Sequence, residues 1–321
     1  MFDSQPASYT VSLCPPHCAH RSLGIHFGSD CCFVPDASRI DTGLQLLGDS
    51  NIIECWSADS SRTWKLSVKP GNAKVVQTEN WLLVAVWLSD HDCENMAQAT
   101  EQAYATMLEI AREAHMPHVV RSWNYLPHIN RGDGDSETYK QFCAGRAAAY
   151  QEKGVVQADF ASASALGTHS ANAIFYQLST PVRGQHFENP LQVSAYDYPR
   201  QYGPRSPTFA RATACQLDDN NILFISGTAS VKGHQSVHVG DIHQQTQQTL
   251  ANLDALLSDI GTKLGTEIAP DFLKVYIRHP RDFALVRDLV EARFPQCEFV
   301  YVAADICRAD LQVEIDGHCW L

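Results

Sequence analysis

The chain has 321 residues, enough for one large domain or two of ordinary size. It is 45% hydrophobic and 19% charged, with 36 acidic against 24 basic residues and a formal net charge of -12, the balance of a soluble globular protein. Such a surface disfavours non-specific nucleic-acid binding and attraction to anionic membranes, so an anionic ligand would need a local basic pocket working against the global field.

No run of about eighteen apolar residues occurs, so no transmembrane helix is expected. The start, MFDSQPASYT, has no basic region followed by an apolar core, so no signal peptide is expected either. Eleven cysteines are an odd number in a long chain, and several sit in apolar runs such as Phe142-Cys143-Ala144 and Ile306-Cys307. They read as buried reduced thiols of a cytoplasmic protein rather than as a disulfide framework.

Residues 1–70 are punctuated by Pro, Gly, Ser and Cys and predict irregular short strands that cover something else. The pattern sharpens at WLLVAVWL (81–88), a continuous apolar run that predicts a buried strand. Residues 93–115 predict a helix from Met96, Ala99, Ala103, Met107 and Ile110. Residues 118–126 predict a second strand, and 136–150 a second helix capped by Ser136 with Tyr139 and Phe142 on its stripe. The same order recurs: a strand at 222–229, a helix at 241–264, a strand at 272–277, a helix at 282–294 and a strand at 297–303, closed by a strand at 311–315. The two occurrences lie about 140 residues apart and have no visible sequence similarity, so this is a repeat of pattern only. It predicts an α+β fold of two halves, 1–180 and 181–321, joined through a Pro-, Gly-, Tyr- and Arg-rich segment at 180–207.

The densest chemical signal lies in residues 196–211. Tyr196, Tyr198 and Tyr202 alternate there with Arg200, Arg205 and Arg211, and prolines pre-set the backbone. Guanidinium groups bind carboxylates through paired hydrogen bonds, so the block suits a carboxylate ligand; a solvated loop paired with surface acids is the plainer alternative. Trp123, Asn124 and Tyr125 read equally as core or as pocket wall. Arg146, flanked by Ala144, Gly145 and Ala147, has little to shield it from a neighbouring cavity or from solvent. In LQVEI, Leu311, Val313 and Ile315 alternate with Gln312 and Glu314. If both faces of that strand are covered, desolvation raises the Glu314 pKa and keeps a proton available near neutral pH; if not, Glu314 is an ordinary surface carboxylate. Cys14, His17, Cys18, Cys31 and Cys32 are the best zinc candidates, but their spacing does not fit a C-x2-C pair, and no metal is expected. No GxGxxG, P-loop or GxSxG element occurs, which argues against dinucleotide, nucleotide and nucleophile-elbow enzymes.

Taken together, RSWNYLPHIN (121–130), ETYKQFCAGRAAAY (137–150), ENPLQVSAYDYPRQYGPRSPTFARA (188–212), LFISGTASVKGH (223–234) and CRADLQVEIDG (307–317) resemble the chorismatase family. ISGTAS and VEI alone would indicate only the broader reactive-intermediate deaminase (RidA-like) superfamily. The resemblance implies two RidA-like halves, each a mixed sheet packed on two helices as in the subunits of chorismate-mutase-like trimers, with most of the active site in the C-terminal half. It implies chorismate as substrate, pyruvate as a product, no cofactor, no nucleic-acid or membrane partner, and a cytoplasmic enzyme acting as a monomer. It makes Glu314 the catalytic acid and gives Tyr139, Arg146, Tyr198, Tyr202, Arg205 and Arg211 to substrate binding, with Arg200 behind them. Gly227 and Cys307 match the family positions that separate products and resemble the hydroxybenzoate-forming combination: Gly leaves room for the ring to tilt, and the thiol assists proton transfer. The expected product is 3-hydroxybenzoate, with 4-hydroxybenzoate as a side product in the bifunctional kind that feeds pigment synthesis. The rival readings are a RidA-like imine or enamine deaminase and a non-enzymatic aromatic-acid binding protein.

Overall fold

The computed structural model describes residues 10–14, 23–28, 31, 39–48, 53–58 and 60–321. The leading segment gives β1 (Thr10–Cys14), β2 (Leu23–His26), β3 (Arg39–Asp41), β4 (Gln45–Leu46) and β5 (Ile53–Ser57). Four of these form a small sheet in the order β1-β5-β2-β3, whereas β4 leaves it for the edge of a larger one.

The first half then contains β6 (Arg62–Ser67), β7 (Asn72–Gln77), β8 (Leu82–Leu88), the one-turn α1 (Asp90–Cys93), α2 (Met96–Glu113), β9 (His118–Pro127), α3 (Thr138–Glu152), β10 (Ser162–Thr168) and β11 (Ala173–Thr180). The second contains β12 (Gln185–Phe187), β13 (Ala212–Leu217), β14 (Asn220–Ala229), the short β15 (Val231–Lys232) and β16 (Gln235–Ser236), α4 (Ile242–Leu264), β17 (Phe272–Ile277), α5 (Phe283–Arg293), β18 (Glu298–Ala303), β19 (Asp305–Ile306) and β20 (Val313–Trp320). One sheet runs β19-β10-β9-β11-β8-β7-β6 and the other β4-β18-β17-β20-β14-β13-β12. The orders correspond strand for strand. In each, the two strands flanking the second helix are parallel (β9 with β10, β17 with β18), and a strand borrowed from elsewhere in the chain closes the edge. The repeat of pattern is therefore a repeat of topology.

Side-chain alternation builds the layers. Val313, Ile315 and Cys319 of β20 pack on α4 and α5 with Leu273, Val275 and Ile277 of β17. Their neighbours point the other way, where Trp123, Tyr125, Tyr176, Phe224 and Tyr276 join the two sheets face to face, with Trp56 and Ile25 of the small sheet packed on them. On α2, Met96, Ala99, Ala103, Tyr104, Met107 and Ala111 make a helical stripe against the first sheet. The protein is thus helices, sheet, sheet, helices, with the leading segment closing the middle.

Several expectations need correction. The closing strand runs to Trp320 rather than ending at Ile315. Ser136 does not cap α3: its hydroxyl donates to Asp133 O (2.7 Å) in a preceding 3-10 turn, and Glu137 holds the cap position. Trp123 and Tyr125 are core, and Asn124 accepts from Tyr104 and donates to Ser164 O. Cys55 is in a disulfide, unlike the free thiols Cys31, Cys93, Cys143, Cys215, Cys297, Cys307 and Cys319. The zinc candidate lies largely outside the described residues, among which no cluster of metal-binding side chains occurs. No described helix is long and apolar enough to cross a membrane.

Candidate active site

A cleft of about 740 Å3 opens where the two sheets diverge, between β10, the C-terminal end of β14 and the start of β20. Both halves supply its walls. Tyr139 and Arg146 enter from α3 and Ser164 from β10. The second half contributes Tyr198, Tyr202, Phe209, Arg211, Gly227, Cys307, Arg308 and Glu314.

Glu314 projects from the sheet-to-sheet face of β20 and is only 4% exposed. Burial and then the charge of Asp316 push its pKa up to about 8, against the opposing pull of Arg121, Arg211 and Arg308. A carboxyl of this kind carries its proton at neutral pH and can give it up. It fits because β14 has a bulge between Ile225 and Thr228 and a glycine at 227: a Cβ there would stand 1.9 Å from Glu314 Oε1. The glycine thus makes room for the acid itself, not only for a ligand ring.

Cys307 Sγ lies 4.0 Å from Glu314 Oε2. Burial, and then the Glu314 charge, push its thiol up, so it remains protonated beside the carboxyl. The segment carrying it is held by Arg278 of the β17 end. That guanidinium donates to Leu311 O (2.8 Å), Ile306 O (3.0 Å), Arg308 O (3.0 Å) and Asp305 Oδ1 (2.6 Å), and to Asn130 Oδ1 (3.1 Å) of the first half.

The basic groups form two poles. Arg146 is 1% exposed on α3, its guanidinium over the ring of Phe142 (4.9 Å), with Nε unpartnered and no ion pair to a described carboxylate. On the other side, Arg211 Nη2 donates to Tyr198 Oη (2.7 Å) and Val193 O (3.1 Å), again with a buried unpartnered Nε. Arg308 lies over the rings of Tyr202 (4.0 Å) and Tyr198 (5.2 Å), and Tyr202 Oη bonds His234 Nδ1 (3.1 Å). Buried guanidinium groups without carboxylate partners are costly unless an anion completes them.

Of the predicted residues, the cleft brings together Glu314, Cys307, Gly227, Tyr139, Arg146, Tyr198, Tyr202 and Arg211. Arg205 is not among them. It is exposed and lies outside the lining, because the turn at 203–206 carries it to the surface while Gly203 packs against Lys140. Arg200 is also exposed and pairs with Asp135 through two bonds (2.9 and 2.6 Å) that tie the loop at 131–137 to the Tyr-Arg segment. Sequence reading missed Arg308, which lines the cleft where Arg205 does not, and also Arg278, Arg121, Ser164 and Asp316. Arg308 was visible in CRADLQVEI; Arg278 carries no local signal, since only the fold puts it beside the 305–311 segment.

The family described as Chorismatase FkbO/Hyg5-like, N-terminal matches residues 54–179, and the family described as Endoribonuclease L-PSP matches residues 208–319. A 3-hydroxybenzoate synthase of Streptomyces hygroscopicus is 39% identical over 233 residues, 68% of each chain. A chorismatase of the same organism is 37% identical over 231 residues, 69% of this chain and 67% of that one. The crystal structure of a chorismatase superposes with a TM-score of 0.84 at 27% identity, covering 98% of this chain and 99% of the other.

Proposed function

The chain belongs to the chorismatase family, and we propose that it splits chorismate into 3-hydroxybenzoate and pyruvate, with Glu314 as the acid. The observation that supports this best is a buried, protonated carboxyl facing a cleft whose other polar groups are cationic. Chorismate is a dianion with an enolpyruvyl ether on a cyclohexadiene ring. Proton transfer from Glu314 to the methylene carbon forms a C–H bond and leaves an oxocarbenium ion; the ring's own C4 hydroxyl oxygen adds to the cationic ether carbon, whose bond to the C3 oxygen then breaks to leave a C3 hydroxyl, and cleavage of the ring C4–O bond frees pyruvate. Loss of a ring proton completes the aromatic product. The two products together hold every atom of chorismate, so neither net water nor an external oxidant is required. Cys307, beside Glu314, assists the proton transfers of aromatisation, and the small Gly227 leaves the acid its place.

Two carboxylates face two basic poles, Arg146 with Tyr139 on one side and Arg211 with Arg308, Tyr198 and Tyr202 on the other. Removing water from such pairs strengthens them. One chain supplies every group used, which supports action as a monomer. Most of the chemistry belongs to residues 181–321, and residues 1–180 contribute one anion pole. An imine deaminase would leave the second pole without a purpose.

The test incubates purified protein with chorismate, without added metal or nucleotide, and separates products by chromatography, which resolves the 3- and 4-hydroxybenzoate isomers and the dihydroxycyclohexadiene acid. Pyruvate and 3-hydroxybenzoate are expected from the wild type. Glu314→Gln should still bind chorismate but release pyruvate at least ~100-fold more slowly. Full turnover by that variant would overturn the reading of Glu314, and absence of pyruvate from the wild type would overturn the reaction.

A further inference from the structure

Behind the cleft lies a buried charge cluster that the chemistry above leaves unused. Asp316 is two residues past Glu314 on β20, so both carboxyls point into the space between the sheets. One oxygen, Asp316 Oδ2, accepts from Arg121 Nη2 (2.7 Å), Ser164 Oγ (2.6 Å) and Tyr276 Oη (2.9 Å). Arg121 is fully buried and stacked on Trp123 at 4.8 Å. Lys274 stands directly opposite Asp316 in the β17–β20 register. Its ammonium pairs with Glu54 Oε2 at 2.7 Å, and Glu54 Oε1 accepts from Trp56 Nε1 at 2.8 Å. Glu54 comes from β5, in the leading sheet.

Arg121, Asp316, Lys274 and Glu54 thus form two adjacent ion pairs of no net charge. The groups facing Glu314 come from every element around it. Asp316 lies on its own strand and Tyr276 opposite it on β17, with Ser164 on β10 and Arg121 on β9. Arg211 enters from the segment before β13, Cys307 and Arg308 from the segment before β20, and Tyr139 and Arg146 line the same cleft from α3. Arg121, Arg211 and Arg308 favour an ionised Glu314; among these groups, Asp316 is the carboxylate that opposes them. Ionising Glu314 would add a second negative charge to a water-poor wall in which Arg121 is already engaged, and like charges two residues apart on one face of a buried strand repel.

On the reading of Glu314 as the acid, we propose that Asp316 is a positioning residue: fixed by Arg121, Ser164 and Tyr276, its carboxylate holds the proton on Glu314, and Glu54 of the leading sheet adjusts that hold through Lys274. The leading segment thereby acquires a part in the chemistry that its distance from the cleft conceals. Ser164 is the joint between the two layers, since it lines the cleft and donates to Asp316.

The experiment is the pH profile of kcat/KM for pyruvate release from chorismate, in full-length variants whose fold is checked by circular dichroism. Asp316→Asn, which keeps the shape and removes the charge, should move the alkaline limb down by about one pH unit. Glu54→Gln leaves Lys274 uncompensated and should move it the same way by less. Lys274→Met leaves Glu54 uncompensated and should move it upward. A merely structural cluster would lower stability or rate in all three without shifts of opposite sign. Coincident limbs in Asp316→Asn, or shifts of one sign from both members of the Lys274–Glu54 pair, would overturn the proposal. If Asp316→Asn does not fold, the opposed pair decides alone. A Glu314→Gln variant that still turns over defeats the premise instead, so the two failures are distinguishable.

Discussion

At Glu314 the controlling quantity is the cost of placing a negative charge in a wall that water does not reach. At the arginines it is the reverse: buried cations in no direct ion pair with a described carboxylate gain most when an anion arrives. Arg211 and Arg146 meet that description and Arg205 does not. Arg211→Ala and Arg146→Ala should each lose about 2–5 kcal/mol of transition-state binding, read as kcat/KM for chorismate. Arg205→Ala should stay within about 0.5 kcal/mol of wild type, since surface substitutions seldom exceed that. Equal losses in Arg205→Ala and Arg211→Ala would mean that the cleft closes over the 203–206 turn in use. Cys307 Sγ stands against the acid carboxyl, so its effect belongs to product outcome more than to affinity. Cys307→Ala should shift the chromatogram from 3-hydroxybenzoate toward the dihydroxycyclohexadiene acid; an unchanged ratio removes the thiol from the mechanism.

Single elements set where these side chains stand. The segment at 305–311 is irregular apart from the two-residue β19, yet it holds Cys307 and Arg308 in the cleft wall. Arg278 replaces the missing ladder by bonding carbonyls at Ile306, Arg308 and Leu311. Arg278→Met should therefore lower kcat/KM by up to about a hundredfold, the penalty of misplacing reacting groups by an ångström, and should broaden the product ratio. A variant with altered thermal stability but wild-type kinetics and products would show that the segment holds its shape without the clamp. The bulge in β14 is a comparable device, since only the glycine at 227 lets the acid approach the sheet so closely.

Across the whole molecule, the helices α4 and α5 cover one face of β20 and the first sheet covers the other, and this couples catalysis to stability. The Glu314 pKa is raised in the folded state, to about 8 from an unfolded value near 4.3. Its contribution is therefore fully present below about pH 4.3 and is lost as pH rises toward 8, because the unfolded chain releases the proton first. Glu314→Gln has no such loss, so its melting temperature should gain on wild type steadily from pH 5 to pH 8. Each unit of raised pKa corresponds to about 1.4 kcal/mol, an upper figure here. Melting curves that stay parallel over that range would place Glu314 in contact with water. Activity should fall over the upper part of the same interval, as the acid loses its proton.

Much of this was legible in the chain itself. The periods of 3.6 and 2 marked four of the five helices and many of the strands, their order announced the two matching halves, and the alternation in LQVEI put Glu314 opposite Val313 and Ile315. Composition singled out the Tyr-Arg segment as the basic region of an acidic protein. Local pattern records which way a side chain points relative to its neighbours, and that is enough for faces, stripes and candidate groups. It does not record what lies opposite. Only the packing of sheet on sheet made Glu314 a buried acid, sent Arg205 to solvent and Arg308 to the cleft wall, brought Arg278 to the Cys307 segment, and set Glu54 of the leading strands behind the site. Those contacts join residues as far apart in the chain as Glu54 and Lys274, and the energies that matter there, desolvation and charge at short range, depend on distance in space rather than along the chain.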